Sequence, residues 1–308
     1  GCSDIPIQID GKCNGNQHWS SIMKDEVIAK LTGVDPSDKP EDLYQFVADG
    51  TTEYCQTHQE NNEWNKQFVA HWSDGIDRGV TKRSTMCEAY GLTFYGIQKY
   101  LRLEGHLDWV PKDKRGGAIV ELARAIQAAL NQVLSSSNAG KSWLKTVSDV
   151  ATENNKHLTW TTPSGFKVVH YYTQNQTRRS IAKLFNNREL SFFVKTDSPH
   201  GRAARQAISP NYIHSLDAAH MFLVLDRMLR EKITGDFCMI HDSYGCHANF
   251  IDQLHRITRE EFAIIHRNNQ LEFFKNDVEQ SLGVNLPDIP TRGDFNVDRV
   301  LESEYFFS

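Results

Sequence analysis

Apolar and polar positions alternate at the start of this chain and then fall into helical spacing. Ile5, Ile7 and Ile9 are separated by Pro6, Gln8 and Asp10, the period of a half-buried strand that ends on a carboxylate. Pro6 restricts that strand to a start or a sheet edge. A turn from Gly11 to Gly15 leads into a helix expected over His18 to Leu31, with Ile22, Met23, Val27 and Ile28 inward. From Glu41 to Trp72 the pattern is helical and polar, and Asp74 is placed to cap a helix running toward Tyr90. Helices are expected at Gly117 to Leu134 and Lys141 to Asn154, with SSSNAG between them as a loop.

HLTWTTPSGFKVVHYY predicts a hairpin: Pro163-Ser164-Gly165 turns between Leu158-Trp160 and Phe166-Val169. A second hairpin is expected to turn at Asn186-Asn187. Pro210 suits the first turn of a long helix, Asn211 to Leu229. FCMIHDSYG then sets four apolar residues before His241-Asp242, a strand that delivers a carboxylate at its tip, with a return strand through Tyr244.

The 308 residues are 39% hydrophobic, enough for a substantial core. No apolar run approaches the roughly 18 residues of a membrane span, and the first residues lack a signal-peptide layout. Cys2, Cys13, Cys55, Cys87, Cys238 and Cys246 form no Cys-x-x-Cys pair, so reduced thiols are expected rather than a zinc knuckle or disulfide framework. A net charge of −5 excludes nonspecific nucleic-acid attraction by the whole surface, so such binding must be local.

In DRGVTKRSTMCEAYG, Arg78, Lys82, Met86 and Tyr90 stand four apart, each step turning only about 40° around a helix. They form one slowly turning stripe. Arginine offers a forked donor and lysine a mobile point charge to phosphate oxygens, although Arg-x3-Lys alone also describes a solvated basic face. His214, Asp217 and His220 loosely share a helix side and are possible zinc ligands, or merely satisfied polar residues. GKSW at 140–143 fails as a phosphate loop because Ser135 stands where the glycine is required, and Asn175-Gln-Thr is a glycosylation triplet without secretory context.

Extended through Tyr90-Gly91, the stripe resembles the fingers helix of polymerases built like a right hand. DGKCNGNQHWS at 10–20, RGVTKRSTMCEAYG at 78–91, PNYIHSLDAAH at 210–220 and IHDSYG at 240–245 closely resemble the single-subunit DNA-dependent RNA polymerases of bacteriophages and mitochondria. WTTPSGF at 160–166 and the terminal YFFS are similar as well. The resemblance covers essentially the whole chain in family order. It implies an α+β fold, with an antiparallel palm sheet and helical fingers: palm over 1–25, fingers over 26–212, and palm with a C-terminal foot over 213–308. Compared with the family, the chain begins just before the first catalytic aspartate, so thumb and N-terminal domain are expected to be absent. A companion subunit of a split phage enzyme is expected to supply them.

The resemblance further implies that Asp10 and Asp242 ligate two Mg²⁺ ions, with Gly11 offering its carbonyl. Arg78 and Lys82 would hold the triphosphate, Lys82 would protonate leaving pyrophosphate, and Met86, Tyr90, Gly91 and His214 would complete the NTP site. Relatives that synthesise DNA usually carry His-Asp-Glu and a glutamate gate after the first aspartate, whereas this chain has His241-Asp242-Ser243 and Gly11-Lys12-Cys13. Ribonucleotides are therefore expected. Between Arg178 and Arg205 seven basic residues meet two acids with phenylalanines interleaved, and Arg178, Arg179, Lys183 and Arg188 are the expected DNA contacts. A solvated loop fits that composition too. A DNA polymerase of the same superfamily, a noncatalytic nucleic-acid-binding subunit and a zinc hydrolase are the alternatives. Reduced thiols fit the cytoplasm of a phage's host and, alternatively, a mitochondrion.

Overall fold

A computed structural model describes residues 5–182, 188–233 and 236–308. Strand β1 (Ile7–Asp10) leads into α1 (Asn14–Met23) and α2 (Glu26–Leu31). Five helices follow: α3 (Leu43–Thr57), α4 (Glu63–His71), α5 (Arg78–Glu88), α6 (Phe94–Leu103) and α7 (Arg115–Val133). Helix α8 (Ser135–Glu153) precedes hairpin β2 (Leu158–Thr161) and β3 (Lys167–His170), then ribbon β4 (Thr173–Ala182) and β5 (Arg188–Pro199). The chain continues through α9 (Gly201–Arg230), β6 (Phe237–Ile240), β7 (Ser243–Cys246), α10 (Ile251–Arg267) and α11 (Gln270–Leu282). The mixture is α+β. Cys2, Lys183, Phe185 and the Asn186-Asn187 turn lie outside the described residues.

Three cores organise these elements. In the first, α3 to α7 bury Val47, Phe68, Ile97, Leu122 and Ile126. In the second, Trp19 and Met23 of α1, Leu144 of α8, Trp160 of β2, Tyr212 of α9 and Phe274 of α11 pack together. The third lies under an antiparallel sheet of order β1-β7-β6, whose inner face carries Ile9, Tyr244 and Cys246 against α10 and the terminal Phe306-Phe307. Each large side chain withdrawn from water contributes roughly 1.5–3 kcal/mol. Because α9 crosses from the second core, at Tyr212, to the third, at Val224, the stretch between them holds His214 and Asp217.

Local sequence explains where the elements depart from expectation. The helix expected over 18–31 is two helices: Lys24 takes a left-handed conformation, and the Asp25 carboxylate accepts from the amide of Ile28 at 3.1 Å to start the second. Val27 consequently points outward, 59% exposed. Asp77, not Asp74, caps α5, accepting from Gly79. SSSNAG is helical, since its small residues let α8 approach α1; a methyl on Gly140 would stand 2.5 Å from the Trp19 ring. Helix α6 was not anticipated. Pro210 lies inside α9, where its missing amide costs about 3 kcal/mol, offset by the buried Ile208, Tyr212, Ile213 and Leu216 on either side. Of the alternating isoleucines only Ile9 is buried. Pro6 precedes β1, and β1 is a sheet edge.

Candidate active site

The two aspartates singled out by sequence meet. Asp10 ends β1 opposite Ser243 in the antiparallel register with β7. The Gly11 amide donates to the Asp242 carbonyl at 3.0 Å, and the Ser308 amide donates to the Asp10 carbonyl at 3.1 Å. Asp242 stands in a two-residue turn between β6 and β7, where His241 adopts a positive φ of 54°. Such tight turns require left-handed backbone, and histidine is among the residues that tolerate it. Burial raises the Asp10 carboxyl above its ordinary range and the neighbouring Asp242 charge adds to this, while the Gly11 amide opposes both.

Across from the sheet, Arg78, Lys82, Met86 and Tyr90 line one cleft of about 780 Å³ together with Asp10, Gly11, His214, Asp217, His241 and Asp242. The opposite side of α5 buries Val80, Thr81, Ser84 and Thr85, which fixes the stripe's direction. The end of α5 is anchored twice. Trp19 Nε1 donates to the Ala89 carbonyl at 2.9 Å, and Lys141 Nζ donates to the Glu88 carbonyl at 2.8 Å and to its carboxylate at 2.6 Å. Gly15 permits α1 to come this close, because a methyl there would stand 2.6 Å from Ala89 and 2.9 Å from the Tyr90 ring. Gly91, with φ 82°, turns the chain immediately after Tyr90.

Tyr90 stacks on His214 with centroids 4.5 Å apart and planes 9° from parallel. Burial, then the Asp217 charge, pushes the Tyr90 phenol well up, while burial and then His241 lower the His214 imidazole. Asp217 accepts from Asn14 Nδ2 at 2.5 Å, and burial raises its carboxyl to about 6.

Lys12, Asp42 and Tyr44 also line the cleft. The sequence pattern marks Asp217 only as a possible zinc ligand and gives Lys12, Asn14, Asp42, Tyr44 and His241 no role. Asp42 did carry a signal, standing just before the apolar Leu43 where a helix cap belongs. The zinc alternative is not supported: His220 turns away from the cleft, bonded to the Thr258 carbonyl at 2.8 Å and to the Tyr244 hydroxyl at 3.2 Å. Among the described residues no group of three or more His, Cys, Asp or Glu is arranged to hold a metal.

Arg178, Arg179 and Arg188 lie on the β4–β5 ribbon, exposed, with Arg178 opposite Phe192 and Arg179 opposite Ser191. Arg179 makes one exposed contact with Glu189 at 3.4 Å, and Phe193 is 77% exposed. Lys183 lies outside the described residues, and Arg205 is engaged by Asp149. Among the described residues no helix is long and apolar enough to cross a membrane.

Residues 2–286 match the family model described as DNA-dependent RNA polymerase. The chain is 30% identical over 314 residues to DNA-directed RNA polymerase 1, mitochondrial, of Arabidopsis thaliana, covering 99% of this chain and 32% of that protein. It is 29% identical over 353 residues to DNA-directed RNA polymerase, mitochondrial, of Schizosaccharomyces pombe, covering 99% and 30%. With DNA-directed RNA polymerase 3, chloroplastic, of Nicotiana sylvestris it shares 30% over 315 residues, covering 99% and 31%. It therefore spans about a third of the length of the curated relatives it matches.

Proposed function

From the premise that this chain belongs to the DNA-dependent RNA polymerase family, we propose that it carries the nucleotidyl-transfer site of such an enzyme. The sheet and its flanking helices act as palm, and the helical core of α3 to α7 acts as fingers. The observation that carries this reading is the junction of Asp10 with Asp242, tied through Gly11 and facing Arg78 and Lys82 across one cleft.

Two carboxylates side by side, that of Asp10 raised by burial and then by the charge of Asp242, fit a site for hard cations with oxygen ligands. Asp10, Asp242 and the Gly11 carbonyl would hold Mg²⁺. When bound, Mg²⁺ ions would activate the RNA 3′-hydroxyl and offset charge on the phosphates. Arg78 and Lys82 orient the triphosphate, while Tyr90 and His214, stacked, bound the sugar and base. The 3′-hydroxyl gives up its proton to solvent, its oxygen attacks the α-phosphorus, and the bond to pyrophosphate breaks. Lys82 then supplies the proton that the leaving group takes up.

Exposed Arg178, Arg179 and Arg188 contact DNA phosphates, with Phe192 and Phe193 offering stacking surface. That the relatives are mitochondrial and chloroplastic polymerases favours a mitochondrial or plastid-type setting over the bacterial cytoplasm. A companion chain, as in a split phage enzyme, would be recovered by copurification.

The test is extension of an RNA primer on a DNA template by the chain purified with whatever accompanies it. Asp10→Asn and Asp242→Asn should each abolish extension while leaving DNA binding intact, and NTPs should be used in preference to dNTPs. Undiminished extension by Asp242→Asn would overturn the assignment.

A further inference from the structure

The cleft contains a carboxylate that the chemistry above does not use. Asp42 caps α3: its Oδ1 accepts from the amides of Tyr44 at 2.9 Å and Gln45 at 3.2 Å. Its other oxygen, Oδ2, accepts from Arg78 Nε at 2.5 Å. The guanidinium lies over the Tyr44 ring, 4.9 Å from its centroid. The Tyr44 carbonyl in turn accepts from the Thr81 hydroxyl at 3.0 Å, so the start of α3 is fastened to the first turn of α5. Arg78 is therefore held along its Nε edge and beneath one face. Among the described residues no hydrogen bond engages Nη1 or Nη2. Those two nitrogens are the end of the fork that matches a pair of phosphate oxygens.

We propose that Asp42 is a positioning residue for nucleotide binding, gripping Arg78 at Nε so that its Nη1–Nη2 edge is presented to the triphosphate. This rests on Arg78 being a phosphate ligand. The sign of the effect separates orientation from plain electrostatics. Taken only as a negative charge, Asp42 repels a triphosphate, and neutralising it would tighten binding. As a clamp, it spares the flexible arginine the ordering cost that binding otherwise imposes, and neutralising it weakens binding.

Asn and Ser cap helices about as well as Asp. Neither keeps the clamp: an Asn that caps through its oxygen turns its amide toward Nε, donor against donor, and Ser is too short. Asp42→Asn and Asp42→Ser thus retain the α3 cap and release Arg78, whereas Asp42→Ala loses both.

Binding of magnesium ATP and magnesium GTP to the full chain is measured by titration calorimetry, with Arg78→Ala as reference and melting temperatures recorded for each variant. D42N and D42S should melt like the wild type and raise Kd on the order of tenfold. The double variant D42N/R78A should bind no more weakly than R78A. In primer extension the loss should appear in KM for NTP, with kcat preserved. If R78A weakens binding while D42N binds as tightly as the wild type, or more tightly, the clamp is refuted and the phosphate role of Arg78 stands. Weakening confined to D42A, with a lowered melting temperature, refutes it likewise and reduces Asp42 to a cap. If R78A itself binds normally, the phosphate reading fails and the clamp fails with it.

Discussion

Replacing Asp217 by asparagine should stabilise the metal-free chain, and do so more at high pH than at low. The Asp217 carboxyl is buried beside Asn14 and raised from an ordinary 3.8 to about 6. The folded state therefore holds this proton more firmly than the unfolded state does. Stability from Asp217 is complete below the unfolded value and is lost as pH rises through about 6. A difference of roughly two pH units, at about 1.4 kcal/mol each, makes the ionised folded form cost about 3 kcal/mol at pH 8. Asparagine has the same shape, never ionises, and keeps an oxygen for the Asn14 amide, now 2.5 Å away. Asp217→Asn should gain up to about 3 kcal/mol at pH 8 and about half of that at pH 5. Urea unfolding with EDTA at both pH values measures the gain. A variant less stable than wild type at pH 8, or a gain equal at the two pH values, would refute the reasoning. Magnesium, by offsetting the Asp242 charge that adds to this cost, should narrow the gap.

Lys82→Ala should lower kcat in primer extension by roughly 10²–10⁴; a loss below tenfold would exclude Lys82 as proton donor. Arg178→Ala with Arg188→Ala should weaken DNA binding and flatten the slope of log affinity against log salt by about 1.8, two phosphate contacts at roughly 0.9 each; an unchanged slope would remove the ribbon from the interface. Gly140→Ala presses a methyl to 2.5 Å from the Trp19 ring and 3.1 Å from Met23 Sδ. It should cost about 1–3 kcal/mol in thermal unfolding, and unaltered stability would mean that α8 shifts freely.

The parts of the site carried by strand ends were legible because their constraints are local. Four apolar residues before His241-Asp242 suit a short strand that delivers its next residues to a turn, and β6 and β7 pair in that way although β6 is only partly buried. Arg78 to Tyr90 declared their common side through spacing alone. Asp42 and Asn14 were not legible, since each acts through a partner distant in sequence: Arg78 for the first, Asp217 for the second. Pattern along the chain cannot report which of many capping aspartates also reaches an arginine. Helical SSSNAG and interior Pro210 were misread for a related reason. Serine, glycine and proline have local preferences of a few kcal/mol at most, and packing of α8 on Trp19 and of α9 on two cores outweighs them.

The charges in the cleft then order themselves by what neutralises each. Glu41, Asp42, Asp217, Asp10 and Asp242 face Lys12, Arg78 and Lys82, an excess of acid in the cleft proposed to take a triphosphate. Asp42 is satisfied by two amides and an arginine. Asp217 is satisfied by Asn14 and, below about pH 6, by its own proton. Asp10 and Asp242 have no cationic side chain bonded to them among the described residues, and their backbones hold them together regardless. A rigid antiparallel register thus forces two carboxylates into a proximity that their charges oppose. On the proposed function, bound Mg²⁺ would offset that opposition, on the same side of the cleft that Arg78 and Lys82 face.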